Sequence, residues 1–376
     1  MERVLLGLVI FSGLWAIVTL AYKFLNLKRY GFSLKPFLLI AKSKSMAGKL
    51  QAMGSANSRA WRIVSNVGVL VSGGLTAFAF HFLITSLMAR IARPSQPSLY
   101  VVVPGFTIEW DAVPYFVVAV AIIITVHEAF HAITFGSERV PIKSFGFFLA
   151  AIIPGGFVEA DEEAFKKSKP ISKMRVYASG SFSNFLLFLL AMALSILTIS
   201  SSPQGVLVLD TQEGYPAHGS LKSWDVIVAV DGHEIRNISD LNAVLSATAP
   251  GTEVNVTVLR DGESVVLRLR TAPHPSNSSR SYLGVSIAEY HPSTIPWLRG
   301  QAYLHWTSTL HWLTVLSFSV AMINMLPIPL LDGSGFVRAL LEGPLKNNKK
   351  LIDLVANVLG AFSLFLLIAN VGLPMP

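Results

Sequence analysis

The 376-residue chain is 52% hydrophobic and only 14% charged, against about 25% charged residues in soluble proteins, which excludes an ordinary soluble enzyme and places it in the membrane class. Its net charge of +8 does not point to nucleic acid, because the basic residues gather in loops between apolar stretches, the topology signal of a multi-pass membrane protein. No cysteine is present, so disulfides and thiolate metal sites are excluded and any metal must be held by nitrogen and oxygen.

Six stretches, roughly 4–22, 64–89, 112–135, 176–199, 301–326 and 354–373, are long enough to cross a bilayer, which takes about 20 apolar residues. The first lacks a basic start and a small-residue cleavage site, so it reads as a retained span and not a signal peptide. Nine Lys/Arg (Lys23, Lys28, Arg29, Lys35, Lys42, Lys44, Lys49, Arg59 and Arg62) lie between the first and second spans, seven between the third and fourth, and four between the fifth and sixth. The loop between the second and third has Arg90 and Arg93 at its edge, balanced by Glu109 and Asp111. The positive-inside rule then predicts both termini outside and the three basic loops in the cytoplasm.

The third span contains His127-Glu-Ala-Phe-His131. On a helix the i, i+4 spacing puts both imidazoles on one face, where they can grip one zinc ion. Glu128 is placed to act as general base on a water that zinc activates near neutral pH. The same five residues arise by chance on polar helices, but histidine and glutamate are costly in hydrocarbon, so here they read as a functional site. His127 falls about 15 residues into a span entered from outside, or about 22 Å, in the cytoplasmic third of the bilayer.

Residues 139–160 are apolar yet broken by Pro141, Gly146, Pro154, Gly155 and Gly156, which makes a continuous helix untenable. They predict a re-entrant hairpin beside the active site, with Gly155, Gly156 and Phe157 as substrate-binding candidates on a free edge that can pair with an unwound substrate strand. An ordinary interfacial loop is the alternative. Residues 204–290 change texture: Val226, Val228 and Val230 alternate up to Asp231-Gly232, and Val254, Val256 and Val258 up to Asp261-Gly262, the pattern of strands and hairpin turns. Ser239–Leu245 reads as a short helix capped by Ser239. This small domain is placed outside, and the acceptor triplets at Asn237, Asn255 and Asn277 all fall within it, which fits that side. A linker from Pro292 to Arg299 leads to the fifth span, where His305 and His311, six residues apart, read as packing or interfacial histidines.

The fifth span ends in Asn324-Met-Leu-Pro-Ile-Pro-Leu-Leu-Asp-Gly-Ser334. Pro327 and Pro329 stop the helix and Gly333 permits a tight turn, so Asp332 should project from unwound backbone at the depth of the two histidines. A carboxylate there completes three protein ligands and leaves the fourth position open, as catalytic zinc requires.

His127-Glu-Ala-Phe-His131 together with Asn324-x-x-Pro-x-Pro-x-x-Asp332-Gly333 resembles the paired signature of the site-2 protease family of intramembrane zinc metalloproteases. The resemblance covers about 112–200 and 301–345. It implies His127, His131 and Asp332 as zinc ligands, Glu128 as base, and cleavage of transmembrane segments in regulated proteolysis. Ile153–Asp161 is similar to the family's loop before its next core span. Ala178-Ser-Gly-Ser-Phe-Ser-Asn184 resembles an Ala-Gly-Pro-x-x-Asn element, with Ser181 where proline is expected. The outside domain resembles a circularly permuted PDZ module through Trp224–Gly232, Asp240-Leu241, Pro250-Gly251 and Arg260-Asp-Gly262, with Trp224 where glycine is common.

The expected fold is therefore a polytopic α-helical membrane protein of about six spans, with a membrane-associated β-hairpin and an inserted extracytoplasmic α+β PDZ-like domain. Residues 1–111 form two N-terminal spans and their basic loop, 112–203 the first half of the catalytic core, 204–290 the PDZ-like domain and 291–376 the second half. The expected substrates are transmembrane proteins already trimmed outside, with Asn324 and Asn184 as hydrogen-bond donors to the oxyanion or the substrate backbone and Pro327 favouring the unwound state. Asn184 has the equal alternative of tying helices together. A non-catalytic scaffold with a peptide-binding domain is the rival reading. A zinc transporter would need further intramembrane carboxylates, and residues 301–331 contain none.

Overall fold

The computed structural model describes residues 2–92, 99–100, 102, 107–108, 110–260, 262–345 and 348–372. Arg93, Glu109, Asp261, Lys346 and residue 373, which enter the charge, turn and span readings above, lie outside them. The elements run α1 (Glu2–Phe24), β1 (Phe32–Lys35), β2 (Leu38–Ser43), α2 (Lys44–Ala56), α3 (Ser58–Ala92), β3 (Leu99–Tyr100), α4 (Val113–Ser137), β4 (Ile142–Ala150) and β5 (Ile153–Ala160). They continue with α5 (Glu162–Lys166), α6 (Pro170–Thr198), β6 (Val206–Thr211), β7 (Val226–Val230), β8 (His233–Glu234), α7 (Ile238–Ala247), β9 (Glu253–Arg260) and β10 (Glu263–Arg270). Last come β11 (Ala272–His274), β12 (Asn277–Tyr282), β13 (Val285–Glu289), α8 (Gly300–Asn324), α9 (Asp332–Glu342), α10 (Lys349–Asn370) and β14 (Val371–Gly372).

A helix covers most of each predicted span. Four segments, Ser58–Ala92, Trp110–Ser137, Pro170–Thr198 and Lys349–Asn370, are long and apolar enough to cross a membrane. Two of the predicted six fall short of that standard among the described residues: Phe11–Phe24 of α1 is a shorter apolar helix. α8 has the length, but Gln301, His305, His311 and several hydroxyl residues dilute its apolar run.

By internal contacts the chain forms two compact units, Met1–Leu189 with Trp312–Pro376, and Leu190–His311. In the first, helices meet through small residues and buried hydrogen bonds. A side chain at Gly54 would lie 1.9 Å from the Ile133 carbonyl, and one at Gly136 would lie 2.3 Å from that of Gln51, so α2 and α4 touch backbone to backbone. Only glycine, with no side chain, lets two helix backbones approach this closely. Ser72 donates to the Ala178 carbonyl and Thr76 to that of Met325, at 3.2 Å each. Glu138 caps α4 and takes ion pairs from Arg62 and Arg175.

The hairpin predicted over 139–160 is β4–β5, but it is not alone. The sheet order is β1-β2-β4-β5, with β2 covering the far edge of β4 from Leu38 opposite Ala150 to Ser43 opposite Phe145. The stretch read only as a basic loop between the first two spans thus supplies half of a four-stranded sheet and the helix α2. Its apolar runs, Phe32–Leu34 and Leu38–Ala41, are too short for a span and were hidden by the surrounding lysines. Among the described residues β5 pairs with β4 alone, so one of its edges is free. The turn joining them is held by α1: Trp15 Nε1 donates to the Ala151 carbonyl at 3.0 Å, and Ala151 N–H donates to the Phe37 carbonyl at 2.8 Å.

The second unit has a sheet ordered β10-β9-β7-β6-β13, with β8 pairing β7. Val206, Val208, Ile227, Val230, Val254, Val256 and Val258 fill its core with Leu241 and Leu245 of α7. The helix cap is Asn237 and not Ser239: its side chain accepts from Asp240 N–H at 2.9 Å. Asparagine and serine serve equally as caps, and the helix starts one residue before Ser239. Trp224 has φ 78°, a left-handed backbone that explains why glycine suits this position in the resembling module.

Candidate metal centre

α4 crosses the first unit with His127 and His131 buried on one face, each 8% exposed, and the half-buried Glu128 beside them. The loop after α8 returns as α9, whose first residue is Asp332. The nitrogens His127 Nε2 and His131 Nε2 lie 3.1 Å apart, and Asp332 Oδ2 is 3.1 Å from the first and 3.2 Å from the second. Among the described residues this trio brings three ligand atoms within 4.8 Å of one another. Gly333 acts differently from the turn expected of it: a side chain there would meet the Met325 backbone at 2.3 Å, so glycine lets α9 start against the end of α8, which delivers Asp332.

The donor set fits zinc. Bonds of about 2.0–2.1 Å in a tetrahedron separate neighbouring ligand atoms by about 3.3 Å, close to the edges of this triangle. A space is also kept clear. A Cβ at Gly180 of α6 would sit 2.4 Å from both His127 Nε2 and His131 Nε2, so the glycine leaves open the place between the two imidazoles that an ion needs. Behind the ligands, His131 Nδ1 lies 2.9 Å from the Val176 carbonyl and His127 Nδ1 lies 3.0 Å from the Asn184 amide.

A cavity of about 330 Å³ opens on the cluster, lined by His127, Glu128, His131, Gly156, Phe157 and Asn324 among others. Of the sequence candidates for substrate contact, Gly156 and Phe157 line it and Gly155 and Pro327 do not. A side chain at Gly155 would strike the Phe148 ring at 2.3 Å, and the Pro327 carbonyl lies 2.7 Å from where a Gly360 Cβ would be. Asn324 reaches the cavity, whereas Asn184 is fully buried and outside its wall. Gly156 matters for another reason: a Cβ there would lie 2.3 Å from Glu128 Cγ, so β5 runs against the helix at Glu128 itself. The sequence reading missed Tyr177, which lines the cavity with its ring over Gly335. Its place one turn before Ser181 on a helix already assigned to the core was the available signal.

The arrangement defines a membrane metallopeptidase: apolar helices, a His-Glu-x-x-His helix, a remote aspartate and a cavity with a strand at its wall. The peptidase family M50 profile matches residues 115–367, more than half of the chain, and the chain belongs to that family, the site-2 proteases. An uncharacterized protein of Methanocaldococcus jannaschii is 24% identical over 354 residues, 93% of this chain and 89% of that one. A protein of Arabidopsis thaliana named membrane-bound transcription factor site-2 protease homolog is 29% identical over 143 residues, 36% of this chain and 28% of that one. A Fusobacterium nucleatum protein bearing a zinc metalloprotease name is 24% identical over 309 residues, covering 62% and 89%. The PDZ domain of an SdrC-like protein from Listeria innocua matches 23% of this chain and 97% of its own, at 19% identity and a TM-score of 0.21.

Proposed function

We propose that this protein is a zinc-dependent intramembrane endopeptidase that cuts membrane-spanning segments of other proteins, as in regulated intramembrane proteolysis. The observation that carries the reading is the meeting of His127, His131 and Asp332 in one cavity with Glu128 and the backbone of β5. His127, His131 and Asp332 hold the ion, which when bound supplies Lewis acidity toward water and the scissile carbonyl. Glu128 takes the proton from the attacking water and passes it to the leaving amine. Asn324, in the cavity wall, donates to the developing oxyanion or holds the substrate backbone. A helix hides its carbonyls, so the substrate must unwind. The free edge of β5 from Gly156 offers backbone donors and acceptors to such an extended strand, and Gly155 and Pro327 shape the elements around it.

In this reading the spans number about six, the termini and the PDZ-like domain of residues 204–290 lie outside, and the ligands sit toward the cytoplasm, in keeping with the loop charges. Residues 204–290, a sheet with α7 against it, serve as a PDZ-like gate or docking module for substrates already trimmed outside. Glu128→Gln tests the core claim. It is expected to keep its zinc and to cut a membrane-embedded test substrate at least about 100-fold more slowly. Cleavage at the wild-type rate would overturn this catalytic reading, and a wild type that cuts no faster than the variant would leave the scaffold reading in its place.

A further inference from the structure

The residues behind the ligands do work that the catalytic scheme does not use. Val176, Gly180 and Asn184 are spaced four apart on α6 and so form one stripe facing the zinc helix. Val176 presents its carbonyl to His131 Nδ1 at 2.9 Å, Gly180 keeps the space between the imidazoles open, and Asn184 places its amide 3.0 Å from His127 Nδ1.

We propose that Asn184 is a positioning residue for the metal centre, its side-chain carbonyl accepting the Nδ1–H of His127 so that Nε2 is held toward the ion. Three observations carry this. Asn184 is 0% exposed and lies outside the cavity wall, out of reach of a substrate. His127 Nε2 faces His131 and Asp332, so a neutral ligand imidazole carries its proton on Nδ1, which then needs an acceptor. Asn184 Oδ1 is buried without a partner among the described residues. A half-turn of the amide about its last bond, which changes its shape hardly at all, brings this unpaired Oδ1 onto Nδ1–H and gives that proton its acceptor. With the amide nitrogen facing Nδ1–H, two donors would oppose each other and the imidazole proton would be buried without an acceptor. α6 thereby fixes both ligand tautomers, one through backbone and one through this side chain.

The inference rests on the zinc reading, and its test separates the two. Full-length protein in detergent is compared as wild type, Asn184→Leu and Asn184→Ala, which remove the acceptor, and Asn184→Asp, which keeps it. Zinc affinity is read by chelator competition, ligand geometry by the visible absorption of the cobalt-loaded protein, and folding by thermal unfolding of the metal-stripped chains. The Leu and Ala variants should bind zinc about 10–100-fold more weakly, while Asp keeps the wild-type affinity and cobalt spectrum. Wild-type affinity in Leu or Ala overturns the proposal. So does an Asp variant as weak as they are, because the amide donor would then be what matters. A wild-type chain that takes up no zinc overturns the metal reading itself.

Discussion

Gly180→Ala should remove zinc from this protein while leaving most of the fold standing. The added methyl carbon would lie 2.4 Å from Nε2 of both His127 and His131 and 2.5 Å from His127 Cε1, where ordinary contact begins near about 3.4 Å. One side must therefore retreat by about 1 Å, well beyond the roughly 0.2 Å within which ligand positions match a zinc site. Overpacking of this size costs about 1–3 kcal/mol of stability, too little to unfold a chain packed elsewhere through α2, α3 and α10. Metal analysis of the purified variant should find less than about a tenth of the wild-type zinc, and cleavage should fall in parallel. Gly156→Ala is the matched control, because the atoms nearest its Cβ belong to Glu128 and Ile124, with Glu128 Cγ at 2.3 Å. It should keep its zinc and lose about 100-fold in rate through a displaced base. Full zinc and full activity in Gly180→Ala would refute the claim that the glycine keeps the ion's place clear.

Two further outcomes are expected. Trp15→Phe removes the indole N–H that holds the β4–β5 turn at Ala151; thermal unfolding should show a loss of about 1 kcal/mol, with zinc content unchanged and cleavage reduced several-fold as β5 loosens. The natural absence of cysteine allows single cysteines at the exposed Ser264 and Lys49 to report sidedness: an impermeant thiol reagent applied to intact cells should label Ser264→Cys and spare Lys49→Cys, and the reverse pattern would invert the proposed topology.

What the sequence disclosed and what it hid divide along a physical line. Four of the span helices were legible because lipid demands long uninterrupted apolar runs, and an observed helix such as Val113–Ser137 begins and ends within a few residues of the predicted stretch. The His-Glu-x-x-His spacing was legible because a helix converts it directly into geometry. Asp332 could be read only through its setting, since nothing local to it says that α9 begins there against α8. The strands β1 and β2 were invisible: four to six residues among lysines give no periodicity strong enough to outweigh a loop, and the pairing of β2 with β4 is set by contacts more than 100 residues away in sequence. The roles of Gly180 and Gly156 were equally hidden, because what each does is defined by atoms of another helix.

Those unseen pieces bear on a single element. β5 is the strand at the cavity wall, and its position is fixed on one side by Gly156 against Glu128 and on the other by β4, which β2 in turn covers. An isolated two-stranded hairpin is marginal by itself. Adding β1 and β2 makes a four-stranded sheet, the α2–α4 backbone contact at Gly54 and Gly136 ties that addition to the zinc helix, and Trp15 of α1 secures the turn. The N-terminal residues need no separate activity to account for them. On the proposed function, they stiffen the strand beside Glu128 and leave its outer edge open, so that a substrate backbone entering the cavity would meet donors and acceptors already held in place and spend less of its binding energy on ordering them.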